Sequence, residues 1–581
     1  MRVRSVGFLV LFLLAGVGNR IQAQSLAQEV CDRPAIGSAV GEPLDLRSAN
    51  GVLQVELTLR NDSDAHGRSR YCYISSDGSQ SPNLRLKPGD LLILRFKNQL
   101  VEPQLLRAAH HQTNEAAKSS QEPCSSGVMT VVSTNLHFHG LSIPPLCHQD
   151  EVMKTAIQPS DAPFEYRIQI PRTQPPGLYW YHPHIHGFSA AQVLGGASGA
   201  LIIEGIERAN RELAGLRERV FVVRDEDLLN PNAPPAKSEG FAPVIRVDRD
   251  GDVQNTGTGT GKPAKDLSLN FVPVPYPDYP AAVIKLRPKE RQLWRVLNAS
   301  AVTYLNLQVL FNGAAQMLEM VALDGVPVNA KGSAPGLLAM RNHLGVPPGG
   351  RVEFIMPSPP DGVTAKLVNR TVNTGPGGEN DPNRPLASID VSENAPEPIS
   401  VLASSPAPLA ASALPWLGDV APARTRKLYF SEKLEDPKDP NSPTTFFITL
   451  EGERAMPFDP NSDVPNIVVK QGDVENWVIE NRSNELHAFH IHQIHFLLLD
   501  WNGIPVNEPF LRDTINVPFH DGKSPGYPNV TLRMDFRDPG IAGTFPYHCH
   551  LLDHEDNGMM GMLRVEPANV ALQDTSAKAT E

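Results

Sequence analysis

Four places in this 581-residue chain set two histidines one residue apart: His137-Phe138-His139, His182-Pro183-His184, His490-Ile491-His492 and His548-Cys549-His550. In an extended strand, residues i and i+2 leave from one face and i+1 from the other, so each pair presents two imidazoles together. Imidazole binds copper, zinc, iron and nickel, and histidine content alone leaves the metal open. Cys549 narrows the choice. Alternation turns its thiol away from His548 and His550, toward the interior of its own domain. His487 lies three residues before His490 and, on a continuous strand, has the parity to share the side that Cys549 faces. A thiolate, two imidazoles and a long axial thioether make a blue-copper electron-transfer site, and His487, Cys549, His554 and Met559 form that set. Two metal sites then share one strand, with a covalent path from Cys549 to His548 and His550. A zinc hydrolase needs three ligands and an open position, which leaves most of these residues idle. His186 follows His184 by two, but Gly187 interrupts the strand. His148, His495 and His520 read as supporting, core or surface residues, and His66, His110, His111 and His343 carry no signal.

The elements that must hold these groups are short strands. The chain has 54 Pro and 44 Gly, few long helical periodicities and many short runs of β-branched or aromatic residues, which predicts an all-β architecture of sandwiches. A repeat supports it. Lys87-Pro88-Gly89-Asp90 through Asn98, Arg287-Pro288-Lys289-Glu290 through Asn298, and Lys470-Gln471-Gly472-Asp473 through Asn481 each give a turn, an acidic residue and a strand ending in Asn. Leu94, Trp294 and Trp477 share one position and Phe96, Val296 and Ile479 the position two further on, so one face of each strand is apolar. Three copies predict three similar domains, 44–206, 216–395 and 424–567. Leu323-Asp324-Gly325-Val326-Pro327-Val328 also matches Asp500 to Val506. It is preceded by Leu305-Asn306-Leu307-Gln308 where the later copy has His487 to His492, so the middle domain is expected to lack copper ligands. Residues from about Gly375 to Ala423 are rich in Pro, Ala, Ser and Asn and read as surface linker, with 396–423 as the connection proper. Gly205 to Glu218 is a shorter connection with room for a helical turn.

Met1-Arg2-Val3-Arg4, the apolar run Val6 to Val17 and small residues around Ala23 predict a signal peptide over 1–23, hence export to the periplasm or outside the cell. The run is too short for a membrane span. A net charge of -12 without clustered Lys and Arg argues against a nucleic-acid partner. Cys31, Cys72, Cys124 and Cys147 can form two disulfides by any of three connectivities in an oxidising compartment, with Cys549 left over.

Taken together, these residues resemble those of the multicopper oxidases: laccases, bilirubin oxidases and bacterial cuprous oxidases. The resemblance covers nearly the whole mature chain. It implies three cupredoxin-like Greek-key β-sandwich domains and copper as cofactor: four ions per chain, one type 1, one type 2 and two type 3, the last three clustered between the first and third domains. His137 and His490 resemble type 2 ligands. His139, His182, His184, His492, His548 and His550 resemble type 3 ligands, and His487, Cys549, His554 and Met559 type 1 ligands. Oxygen reduction consumes protons, and Glu555 matches a proton-feeding position of the family. Asp150 resembles its acidic residue after the first histidine pair, at a spacing about two residues longer. The resemblance implies a monomeric laccase-like enzyme that couples four one-electron oxidations of phenols or aromatic amines to reduction of dioxygen to water. Oxidation of cuprous or other metal ions ranks second, because the twelve Met are scattered rather than gathered in a copper-recruiting insert. A wide pocket beside His487 and His554 would favour bulky organics; a narrow, carboxylate-lined one would favour metal ions. A copper-free scaffold protein and a copper nitrite reductase are the alternatives from other classes. The first would have lost ligands, and the second leaves half of the histidine pairs unused.

Overall fold

The structure is a computed structural model that describes residues 31–102, 122–125, 129–233, 262–328, 339–401, 414–436, 438 and 442–568. Its strands form six sheets, two to each of three sandwiches. In the first, Ser69–Ser75, Val52–Ser63, Leu91–Asn98 and Phe164–Gln169 face a sheet ordered Asp45–Arg47, Asn83–Leu86, Gly199–Ile203, Gly177–His182, His137–His139. Strands distant in sequence are neighbours in space, as Greek-key connections require. The third sandwich repeats the plan. One sheet runs from Thr444–Leu450 to Ile504–Pro505; the other is ordered Ile467–Lys470, Met560–Glu566, Gly543–Cys549, His487–Ile491, Thr514–Val517. The middle sandwich pairs an eight-stranded and a six-stranded sheet.

Alternation shapes the outer strands. Leu92, Leu94 and Phe96 are fully buried in the first core while Leu91, Ile93 and Arg95 reach outward. Trp294 and Trp477, at the position equivalent to Leu94, are likewise fully buried in the second and third cores. The repeated Asn has a specific task. Asn98 Oδ1 accepts from the Leu100 N–H two residues on, and its amide donates to the carbonyls of Val132 and Ile157. Asn298 and Asn481 make the same set with Ser300, Thr303 and Val346 and with Ser483, Glu485 and Val517. In each sandwich it ties the strand end to two loops.

The strand Gln292–Asn298 is buried on both faces, which hides its alternation. One face fills the middle core. The other carries Leu297, which with Val220, Val222 and Ala299 packs against Leu178, Trp180, Ala200 and Ile202 of the first sandwich. Each buried aliphatic side chain there contributes about 1.5–3 kcal/mol relative to exposure, so apolar packing joins the two sandwiches.

The Pro-rich composition after Gly375 misleads as to where the connection starts. Arg384–Val391 is a strand between Ala282–Leu286 and Ala365–Asn369. Its buried Leu386, Ala387 and Ile389 outweigh the breakers around them. Gly205 to Glu218 folds as two 3-10 turns, Ile206–Arg208 and Arg211–Leu213. The disulfides are Cys31–Cys72 and Cys124–Cys147. No helix among the described residues is long and apolar enough to cross a membrane. The expected leader 1–23, His110, His111 and residues 402–413 of the connection lie outside the described residues.

Candidate metal centre

Backbone pairing sets the histidine pairs side by side. His137–His139 lies antiparallel to Gly177–His182, with His137 opposite His182. In the third sandwich His490 is opposite His548, and Phe489 opposite Cys549. The two halves meet face to face: His137 stacks on His492 at 3.8 Å between centroids and His139 on His490 at 4.0 Å. None of the eight rings is more than 2 % exposed. Only the first pair lies wholly within a strand. His184, His492 and His550 fall just past strand ends, where their N–H groups donate to the Asn135 side chain, the Pro546 carbonyl and the Ala488 carbonyl. Pro183, having no N–H, ends the pairing after His182.

The surroundings decide which nitrogen of each ring points inward. His137 Nδ1 donates to Asp150 at 3.0 Å, His182 Nδ1 to the Pro183 carbonyl at 2.9 Å, His490 Nδ1 to the Asp513 carbonyl at 2.8 Å and His548 Nδ1 to the Cys549 carbonyl at 3.0 Å. A neutral imidazole carries one proton, so Nε2 of each is left as a lone pair. His139 is reversed: Nε2 donates to Asp513 Oδ1 at 3.2 Å and Nδ1 is bare. His137 Nε2, His139 Nδ1, His182 Nε2, His490 Nε2 and both His550 nitrogens are buried with no protein partner, a costly state for a polar atom unless something else binds it. The bare atoms converge. Donor nitrogens of His137, His490 and His492, of His137, His139 and His182, and of His184, His492 and His548 form groups whose members lie within 4.8 Å of one another. Burial, reinforced by neighbouring imidazoles, holds His139, His182, His184, His492 and His550 well below the usual histidine range, and burial lowers His548 to about 3. These six rings are neutral bases at neutral pH. This donor set fits metal ions.

A second group sits inside the third sandwich. Cys549 Sγ is 3.6 Å from His487 Nδ1 and 3.8 Å from His554 Nδ1, and those two nitrogens are 3.1 Å apart. His487 Nε2 donates to Ser483 Oγ at 2.8 Å, which leaves its Nδ1 a lone pair. Met559 is fully buried in the same core and its carbonyl accepts from the Cys549 N–H. Burial pushes the Cys549 thiol well above its usual range, so a metal taking the thiolate must displace its proton. Cys549 faces this group while His548 and His550 face the other, as alternation requires.

Multicopper oxidase family models match residues 129–208 and 432–569, the two segments that carry all twelve of these side chains. The chain carries two multicopper oxidase domains. It is similar to the multicopper oxidase mco of Staphylococcus haemolyticus, 25% identical over 83% of this chain and 81% of that one, and to a laccase of Bacillus subtilis, 21% identical over 82% and 87%. Among solved structures, a Campylobacter jejuni multicopper oxidase described as a metallo-oxidase matches with a TM-score of 0.60 at 23% identity, covering 92% of this chain and 96% of that chain. A multicopper oxidase of Aquifex aeolicus matches at 0.61 and 18% identity, covering 91% and 99%.

Both expected carboxylates lie at the histidine cluster formed by these two multicopper oxidase domains. The longer spacing to Asp150 is taken up by the turn Leu146 to Gln149, and its carboxylate meets His137 and the Phe138 N–H and accepts from Gln493. Glu555 is fully buried with Oε2 3.1 Å from His548 Nδ1 and Oε1 3.6 Å from His184 Nε2; burial, then the charge of Asp556, raises its carboxyl well above the usual range. His186 packs against Phe458, away from the cluster. His495 supports the cluster from behind, its Nε2 3.0 Å from the Asp324 carbonyl and 3.5 Å from Asp513. His148 stacks on Phe164, and His520 bonds the Ser524 carbonyl at the surface.

Sequence reasoning missed Asp513, Gln493 and Ser483, and it missed the surface beside His554. There Glu485 Oε1 lies 3.5 Å from His554 Nε2, and Phe446 stacks on the His554 ring at 4.0 Å. Burial and a hydrogen bond shared with Glu432 push Glu485 up to about 10. A narrow cleft with a cavity volume of about 10 Å³ opens alongside, lined by Tyr304, Glu379, Asn380, Asp381, Leu486 and Leu551. Parity could have flagged Glu485, which precedes His487 by two; Tyr304, Glu379, Asn380 and Asp381 come from the middle sandwich, far away in sequence.

Proposed function

We propose that this multicopper oxidase couples four one-electron oxidations of a small reductant to reduction of dioxygen to water. In this reading His487, Cys549, His554 and Met559 hold a type 1 copper. His137 and His490 hold a type 2 copper, and His139, His182, His184, His492, His548 and His550 a type 3 pair. The observation that carries the reading is the convergence of buried imidazole nitrogens with no protein partner on one interface, with a thiol and two imidazoles one residue away on the same strand. Bound copper supplies one-electron transfer on the Cys549 side and oxygen reduction on the histidine side.

The protein's own part is to connect, orient and protonate. The Cys549 backbone links the two sides through His548 and His550. Asp150 fixes the His137 ring. Glu555, held in its acid form, keeps a proton on a carboxyl 3.1 Å from the His548 ring, where oxygen reduction consumes protons.

At the level of substrate, the His554 edge favours the reading that ranked second. Its carboxyl groups and small cleft suit a compact cation such as a low-valent metal ion, which binds Glu485 by displacing its proton, better than a bulky phenol. Cu(I) should be oxidised with a higher kcat/KM than a dimethoxyphenol. Glu485→Gln should lower the Cu(I) value by about tenfold, or ~1.4 kcal/mol, while changing the phenol value little. A phenol preference that survives in Glu485→Gln would return the assignment to organic substrates. Export is part of the proposal and is supported by the two disulfides, which persist in an oxidising compartment.

A further inference from the structure

The middle sandwich contributes none of the candidate ligands, yet it touches the cluster at two points. Gly349, at φ +81°, lies so close to the His550 ring that a Cβ would fall 2.6 Å from Nε2. Two residues on, Arg351 is fully buried and bonds to all three sandwiches. Its Nη1 and Nη2 donate to the two carboxylate oxygens of Asp513, in the third sandwich, at 2.7 and 2.6 Å. Nη2 also donates to the Asp324 carbonyl of the middle sandwich at 2.9 Å, and Nε to the Leu178 carbonyl of the first at 3.2 Å. The Asp513 residue so held is the acceptor for two cluster rings, through its side chain to His139 Nε2 and through its main-chain carbonyl to His490 Nδ1.

Two further observations set this pair apart from an ordinary structural ion pair. Burying both charges removes them from water, and apolar replacements of similar volume commonly stabilise a fold as well or better, so fold stability gives little reason for it. The ligand backbone is also shaped around it. Gly140, directly after His139, has φ +86°, and a Cβ there would lie 2.5 Å from Arg351 Nη2 and 2.8 Å from Asp513 Oδ2.

We propose that Arg351 is a positioning residue for the oxygen-reducing centre, acting through Asp513 to fix which nitrogen of His139 and of His490 faces inward. The guanidinium fork fits both carboxylate oxygens at once, which a lysine ammonium cannot do while also reaching the Leu178 and Asp324 carbonyls. With Asp513 locked, His139 directs Nε2–H outward and bare Nδ1 inward, while His490 directs Nδ1–H outward and bare Nε2 inward. The copper-free sandwich thereby takes part in building the metal site.

The inference rests on the copper assignment above, and the test separates the two. Full-length wild type, Arg351→Lys, Arg351→Met and Asp513→Asn are loaded with copper under one protocol. Each is then read for copper per chain, type 1 blue absorption, type 2 electron paramagnetic resonance and thermal unfolding. Wild type that takes up no cluster copper defeats the copper assignment, whatever the variants do. Given a loaded wild type, the Arg351 variants should keep the blue absorption and show an altered type 2 hyperfine pattern, with the Met variant losing that copper. Asp513→Asn should reproduce the change, and combining it with Arg351→Lys should add little. Arg351→Lys is the deciding variant if the Met variant does not fold. An unaltered type 2 signal and full copper content in Arg351→Lys, even with a lowered unfolding temperature, would reduce the pair to a fold contact and overturn the proposal.

Discussion

An imidazole becomes a ligand through the hydrogen bond on its far side, and here those bonds come from carbonyls, Asp150, Asp513 and Ser483. Burial outweighs the backbone hydrogen bonds that Leu551 and Ala488 give the Cys549 sulfur, and keeps the thiol protonated until metal displaces the proton. Cys549→Ser should therefore abolish blue absorption and oxidation of reductant, while the outward-facing histidines keep their copper. Absorption and metal analysis check this, and sustained turnover would exclude Cys549 from the electron path. Glu555→Gln removes a proton donor without changing shape. It should slow reoxidation by dioxygen by roughly 10²–10⁴-fold, the usual share of a positioned acid, and leave anaerobic reduction of the blue centre unchanged in stopped-flow traces. Equal slowing of both half-reactions would remove Glu555 from the oxygen step.

Among the elements, the short helix Ser189–Leu194 of the first sandwich begins on a residue of the third. Asp556 accepts from the N–H groups of Gly187, Ser189 and Ala190, fixing the loop after His184 against the helix that carries His554 and Glu555. Asp556→Ala should cost about 1–3 kcal/mol, seen as a lower unfolding temperature, because three backbone donors, those of buried Ser189 and Ala190 among them, lose their acceptor. No change would mean that apolar packing alone fixes that loop. Local structure of this kind was legible wherever it has a period: alternation gave the opposite facing of Cys549 and its neighbouring histidines, and the spacing of Asn98, Asn298 and Asn481 gave the repeated strand. The partners of those residues were not legible. Arg351 and Asp513 are 162 positions apart, and no local pattern marks either one. Arg384–Val391 was hidden by its breaker-rich flanks, and the ends of the later histidine pairs by turns that close only in three dimensions.

For the molecule as a whole, the cluster is a store of buried neutral bases at a domain junction. The folded-state values of His139, His182, His184, His487, His490, His492 and His550 lie well below the ordinary ~6.5. Below about pH 6.5 the unfolded chain binds protons that the folded chain does not. The stability is therefore present above that pH and lost as the pH falls, by about 1.4 kcal/mol per pH unit for each such ring. Metal-free protein should show an unfolding temperature that drops steeply between about pH 7 and 5, and copper should flatten the curve by occupying the same nitrogens; a flat metal-free curve would mean the rings are not buried as bases. The most direct test of the central claim, that these twelve side chains build one electron-entry site and one three-metal site, is to quantify spin against total copper in the loaded wild-type chain. Loaded wild type should hold four coppers per chain, with about half of them visible by electron paramagnetic resonance as one blue and one type 2 signal and the coupled pair silent. A single copper, or full copper content without a blue signal, would contradict it.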